Sequence, residues 1–216
     1  MAKNLTTVVS SNTKTVEINR AQPTVIIGER INPTGRKKVL RALQEGDFDM
    51  VREDATRQVA AGAVILDVNA GVPGADEPAL LQQVMLTVME VTDVPLCIDT
   101  ADPEALDAAL SLYDGKALVN SVNGEERALE AVLPLVKERG AAVIGLCMDD
   151  DGIPETAEER LSVASKIIER AGSLGIPPED VVIDPLALTM GADSKAGRVA
   201  LEAIELVVGE FGVNIT

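Results

Sequence analysis

From Thr24 onward the chain alternates between two patterns of hydrophobic positions. Short runs that are apolar on both faces and rich in β-branched residues read TVIIG, AVILDVN, PLCIDT, ALVNS, AAVIGLCM and VVIDP. Between them lie stretches with apolar residues at helical spacing: Arg36 to Glu45, Asp49 to Ala61, Glu77 to Val91, Pro103 to Leu112, Glu125 to Arg139, Ala157 to Leu174 and Lys195 to Glu210. Strands without a polar face, alternating with helices, predict a parallel sheet built from βα units. About six such units are predicted. Asp102-Pro103 reads as an N-cap followed by the first helical residue, and Gly140, Gly175 and Gly212 fall where left-handed C-caps belong. The first twenty or so residues are polar and read as a peripheral arm, residues 1–23, ahead of a barrel domain at 24–216.

Two α/β architectures accommodate this rhythm, an open doubly wound sheet and a closed eight-unit barrel. A dinucleotide-binding sheet carries G-x-G-x-x-G after its first strand, and GERINPTG does not supply it. The barrel is therefore the predicted fold. A complete one has about 250 residues. This chain of 216 residues ends in FGVNIT, read as the opening of a seventh strand, so the expectation is a (β/α)8 TIM barrel truncated after about six βα units. Open strand edges of that kind would recruit a second copy, so a homodimer is on the table.

Composition narrows the partners. A net charge of −16 disfavours nucleic acid, because a polyanion would be repelled. No apolar run is long enough for a membrane span and the N-terminus has no signal-peptide core, which predicts a cytoplasmic protein. Cys97 and Cys147 each sit inside an apolar run and read as reduced, packed thiols.

The strand ends carry the chemistry. In a parallel barrel the C-terminal ends of the strands form the site. Here they read Glu29 and Asn32, Asp67 and Asn69, Asp99, Asn120 and Asn123, Cys147 to Asp149, and Asp184. Asp and Asn also cap helices and turns, which is the structural reading of any one of them. Asp67, Asp99, Asn120 and Asp184, however, lie within or at the end of apolar runs, where burial demands a partner. The absence of histidine and of paired cysteines speaks against zinc. No strand-end lysine supports Schiff-base chemistry. Magnesium on Asp67, Asp99 and Asp184 stays open. So does a flat, nitrogen-rich heterocycle, whose N–H and amino groups suit carboxylates and carboxamides. Gly28 is read as the tight turn that ends the first strand, Arg30 as a partner of neighbouring acids, and NPTG as the turn into the first helix.

Taken together, IIGERINPTG, LDVNAG, CIDT, VNSVNGE, GAAVIGLCMDDDGIP and VIDPLAL, in this order, resemble the pterin-binding methyltransferases: the methyltetrahydrofolate corrinoid protein methyltransferases and the folate domain of cobalamin-dependent methionine synthase. The resemblance runs from about Thr24 to the end and implies the (β/α)8 barrel. It implies that Asp99, Asn120 and Asp184 hold the pterin and that Glu29, Asn32 and Asn69 line the folate site. The implied reaction moves a methyl group from N5 of methyltetrahydrofolate to cob(I)alamin on a corrinoid protein, with no metal bound to this chain. In that family an asparagine on the seventh strand contacts N5, and here it is expected beyond Thr216, which leaves the catalytic residue unassigned. Dihydropteroate synthase is a more distant relative of this group. A non-catalytic pterin- or folate-binding module, a dihydropteroate-synthase-like enzyme and a metal-dependent barrel enzyme are the alternatives.

Overall fold

A computed structural model describes residues 4–188 and 196–216. Residues 1–3 of the predicted arm and Lys195, the predicted first residue of the last helix, lie outside these. The order is β1 (Thr7–Ser10), β2 (Thr15–Ile18), β3 (Ile27–Ile31), α1 (Lys37–Glu45), α2 (Asp49–Ala60), β4 (Ile65–Asn69), α3 (Glu77–Val91), β5 (Leu96–Asp99), α4 (Pro103–Leu112), β6 (Leu118–Asn123), α5 (Glu126–Arg139), β7 (Ala142–Leu146), α6 (Ala157–Ser173), β8 (Val181–Asp184), α7 (Ala196–Phe211) and β9 (Asn214–Ile215). These are the six predicted βα units, β3 to α7, followed by the strand read in FGVNIT.

The chain divides into two compact units, Val9–Val16 with Pro23–Asn120, and Met1–Val8 with Glu17–Gln22 and Ser121–Thr216. In the first, β3, β4, β5 and the start of β6 form parallel ladders, with Ile27 opposite Ile65, Leu66 opposite Leu96 and Cys97 opposite Leu118. Ile65, Leu66, Val68, Leu96, Ile98, Leu118 and Val119 are fully enclosed, as expected for strands covered on both faces. The helices form where their ends are marked. Asp76 accepts the Ala79 N–H and Asp102 the Glu104 N–H, each with proline in the following turn.

In the second unit β7, β8 and β9 are parallel, with Val143 opposite Val181 and Val182 opposite Asn214. Helix α6 starts from a capping box in which Thr156 and Glu159 satisfy each other's backbone N–H groups. The three predicted C-cap glycines all have left-handed φ: Gly140 at +63°, Gly175 at +78° and Gly212 at +71°. Both cysteines are buried and free. Among the described residues no helix is long and apolar enough to cross a membrane.

Three expectations are corrected. The residues read as a peripheral arm form a hairpin with Thr7 and Val9 completely buried. In the first unit the hairpin tip is fixed by Ser11, whose hydroxyl donates to Asp93 O at 2.7 Å, and by the Lys14–Asp93 ion pair at 2.6 Å. In the second, Asn214 donates to Thr7 Oγ1 at 2.9 Å and to Ile18 O at 2.7 Å, pairing the amide of a buried strand residue. The second correction concerns the first barrel strand, which begins at Ile27 and includes Gly28 rather than turning there. Gly28 is needed for space: a Cβ would stand 2.7 Å from Gln58 Oε1 and 3.0 Å from Leu66 Cδ2. Gln58 cannot move freely, since its Oε1 accepts the Arg30 N–H at 2.8 Å. Third, Arg30 is exposed and takes no acidic partner among the described residues; Arg36 instead pairs with Asp54 at 2.5 Å and donates to the Arg30 carbonyl.

Candidate functional site: carboxylates and amides at the strand ends

The ladder register sets Asn69, Asp99 and Asn120 side by side on β4, β5 and β6, since Asn69 is opposite Asp99 and Asp99 opposite Asn120. Side chains alternate along a strand, so the residues two positions earlier, Asp67, Cys97 and Leu118, form a deeper row on the same face. The outer row is half-buried and the inner one closed.

Two hydrogen bonds knit the rows. Asn69 Nδ2 donates to Asp99 Oδ2 at 3.0 Å, and Asn69 Oδ1 accepts the Gly71 N–H at 2.9 Å, which fixes the amide's orientation. Asn120 Nδ2 reaches back over Cys97 to Asp67 Oδ2, also at 3.0 Å. Among the described residues Asp67 Oδ1 is enclosed without a nitrogen or oxygen hydrogen-bond partner, and the Cys97 thiol lies against the carboxyl. Its surroundings explain the charge state. Burial, against the donation from Asn120, pushes the Asp67 carboxyl up to about 7, and the charges of Asp99 and Glu29 push the same way. Burial also raises Asp99, opposed by the Asn69 donation and assisted by Glu29 and Glu77. Below the row, burial and these carboxylates hold the Cys97 thiol well above its ordinary value, in its neutral form.

Behind the row, Thr100 ties β5 to its neighbours: its hydroxyl donates to Glu77 Oε1 at 2.5 Å and its N–H to Asn120 O at 3.1 Å. Glu29 is exposed on β3, near enough for its charge to act on Asp67, Asp99 and Cys97. Asn32 is half-buried after β3, with its Oδ1 accepting the Thr34 N–H at 2.8 Å as the turn into α1.

In the second unit Asp184 ends β8 half-buried, and its Oδ1 accepts the Leu186 N–H at 2.7 Å. Burial raises this carboxyl while that hydrogen bond and the charge of Arg160 lower it. Cys147, at the end of β7, is pushed up to about 12 by burial and by Asp184. Asn123 is used locally, its side chain exchanging hydrogen bonds with Glu125 at the start of α5.

Thus, of the residues read as pterin or folate contacts, Asn69, Asp99 and Asn120 stand in one row, Glu29 acts on that row through its charge, Asn32 shapes a turn, and Asp184 belongs to the other unit. Two residues were not singled out for this role. Asp67 reads from the sequence as a buried strand-end acid in need of a partner and as a magnesium ligand but not as a pterin contact, although its place in LDVN, two before Asn69, puts it on the same face. Arg160 is the second; its signal is a charged residue in the apolar stripe of α6, among Ala157, Val163, Ala164 and Ile167. Among the described residues no group of three Asp, Glu, Cys or His is arranged to hold a metal ion.

The family model for pterin binding enzymes matches residues 28–215, and the chain belongs to that family. A methylcorrinoid:tetrahydrofolate methyltransferase from Eubacterium limosum is 33% identical over 172 residues, which cover 79% of this chain and 63% of that protein. A methionine synthase from Mycobacterium tuberculosis is 28% identical over 190 residues, covering 85% of this chain and 16% of the other. The chain thus spans less than two thirds of the length of either relative. Among solved structures, a dihydropteroate synthase from Thermus thermophilus in complex with 4-aminobenzoate matches with a TM-score of 0.68 at 24% identity, over 96% of this chain and 77% of that one. The Xanthomonas albilineans dihydropteroate synthase in complex with 7,8-dihydropteroate gives 0.67 at 19%, over 96% and 76%. At such identities these structures establish the α/β barrel fold alone.

Proposed function

We propose that this chain provides the folate side of a methyl transfer from N5 of methyltetrahydrofolate to cob(I)alamin carried by a separate corrinoid protein. The observation that carries the reading is the row Asn69, Asp99, Asn120, an acid between two amides in a half-buried position at strand ends. It is supported by the names of the two relatives, which pair tetrahydrofolate with a corrinoid in one case and make methionine in the other.

A pterin ring presents an N–H and an exocyclic amine along one edge and a carbonyl beside them. Asp99, as a carboxylate, accepts from the nitrogen edge, while Asn120 can donate and accept at once; Asp184, in the other unit, is a pterin acceptor on the family resemblance alone. Charge-assisted bonds of this kind fix a planar ring in one orientation. The transfer breaks the methyl–N5 bond with its electron pair left on nitrogen, so N5 must take up a proton for the amine to leave. The chain's residues described above orient the ring for this step, and orientation alone contributes several kcal/mol to such reactions.

The test is calorimetric titration of tetrahydrofolate into the protein and its Asp99→Asn and Asn120→Ala variants. A loss of about 5- to 150-fold in each is expected, the weight of a buried donor or acceptor left unpaired. Unchanged affinity in both variants sinks the assignment. Conversion of cob(I)alamin to its methylated form on addition of methyltetrahydrofolate, followed by visible absorption, separates an enzyme from a module that only binds folate.

A further inference from the structure

Arg160 is a buried arginine without an acidic partner among the described residues: it is 2% exposed, and all three of its hydrogen bonds go to backbone carbonyls. Nε donates to Pro154 O at 3.0 Å, and Nη1 to Pro185 O at 2.7 Å and Leu186 O at 2.8 Å. An apolar side chain of similar volume would fill this place on α6 without the cost of desolvating a cation. What the guanidinium adds is a fixed fork of donors that holds the loops after β7 and β8 at set distances.

Leu186 lies between that fork and the strand end. It is the one non-glycine residue among those described with φ in the left-handed region, at +61°, a conformation that persists only when its surroundings enforce it. Both of its backbone groups are engaged. Its carbonyl accepts from Arg160, and its N–H donates to Asp184 Oδ1 at 2.7 Å. A continuous chain of hydrogen bonds therefore runs from Arg160 through the strained Leu186 peptide to the Asp184 carboxylate. Oδ1 is committed to it, and among the described residues no side-chain or backbone donor is bonded to Oδ2.

We propose that Arg160 is the positioning residue of Asp184: by pinning Leu186 in its left-handed conformation it holds Oδ1 in the turn and leaves Oδ2 as the oxygen that accepts from the pterin. This rests on the reading of Asp184 as a pterin acceptor. Arg160 does not touch the folate. Its charge also favours the ionised carboxylate against burial; among the described residues Asp184 is met by the Leu186 backbone beyond β8, by Arg160 from α6 and by the Cys147 thiol after β7.

The experiment is a double-mutant cycle read by calorimetric titration of tetrahydrofolate into the wild type, Arg160→Met, Asp184→Asn and the double variant, with a thermal melt of each. The Arg160→Met protein is expected to bind about tenfold more weakly, as for one lost charge-assisted hydrogen bond. The double variant is expected to bind no more weakly than Asp184→Asn alone, because the arginine acts only through that carboxylate. A structural effect spread over the fold would instead add to the Asp184 loss, and additive losses overturn the proposal. So does wild-type affinity in Arg160→Met when Asp184→Asn is weakened. Wild-type affinity in Asp184→Asn removes Asp184 from the folate site, and both readings then fall at that residue. Should Arg160→Met melt below the assay temperature, Arg160→Lys is used in the same cycle: it keeps the charge and loses the fork. The acid limb of binding gives a second readout, since loss of the Arg160 charge must move it to higher pH.

Discussion

Asn120 donates from Nδ2 to Asp67 Oδ2 at 3.0 Å across the thiol of Cys97, joining the half-buried outer row of the strand ends to a carboxyl that is 2% exposed. The contact joins β6 to β4 past β5 and leaves the other Asp67 oxygen without a nitrogen or oxygen partner among the described residues. An acid so placed is neutral through most of the acidic range, and this makes the stability of the protein depend on pH in a specific direction.

The folded-state pKa of Asp67, about 7, lies above its ordinary 3.8. The folded protein therefore holds a proton that the unfolded chain has released, and the associated stability is full below the unfolded value and is lost as pH rises toward 7. Asp67→Asn removes this dependence. In urea unfolding at several pH values the variant should gain on the wild type by up to about 1.4 kcal/mol per pH unit between pH 4 and 7. Parallel stability profiles would contradict the assignment of a protonated Asp67.

Asn69 makes the corresponding prediction for binding. Its donation to Asp99 opposes the upward push of burial, so Asn69→Ala leaves Asp99 easier to protonate. On the proposed function the Asp99 carboxylate is the acceptor for folate, so affinity is expected to fall as the pH drops through the Asp99 pKa. In Asn69→Ala that fall should begin at higher pH, which titrations of tetrahydrofolate across the range from 4.5 to 8 would show. An acid limb at the wild-type position would mean that Asn69 does not govern Asp99.

Gly28→Ala tests the close approach of β3 to α2. The new methyl would meet Gln58 Oε1 at 2.7 Å, and displacing that side chain removes the acceptor of the Arg30 N–H. A loss of about 1 to 3 kcal/mol is expected in chemical denaturation, as for other overpacked sites. A neutral substitution would show that Gln58 has another place to go.

Asn214→Ala tests the hairpin. It leaves Ile18 O and the Thr7 hydroxyl without their buried donor, at a cost of about 1 to 3 kcal/mol. Hydrogen exchange should accelerate over residues 5–18 in particular; uniform acceleration across the chain would instead indicate a global loss.

What the sequence made legible follows from the range of the forces involved. The runs AVILDVN, PLCIDT and VVIDP became β4, β5 and β8 almost residue for residue, because burial on both faces leaves no alternative frame. Capping at Asp102 and the glycines after α5, α6 and α7 are equally local. TVIIG misled because Ile26 is 53% exposed while Ile31, beyond the charged GER, is the buried one, so the strand lies further along than apolar content suggests. Arg36 rather than Arg30 meets an acid because Asp54 on α2 comes within reach only once the helices pack. The roles of Asp67 and Arg160 depend on partners 53 and 26 residues away, and no local pattern announces them.

The row of Asn69, Asp99 and Asn120 has a consequence for redesign. Its members stand on adjacent strands, so their lateral spacing is the interstrand distance of about 4.8 Å, and a step along a strand to the next residue on the same face is about 6.6 Å. The site is graduated like a ruler. A recognition pattern set on such marks cannot be stretched by small loop movements; it can only be changed by rewriting which residue stands on which mark. If folate binds as proposed, swapping the acid and an amide between Asp99 and Asn120 shifts the accepted hydrogen-bonding edge sideways by one division, and a larger ring has to be read from the deeper marks at Asp67 and Cys97.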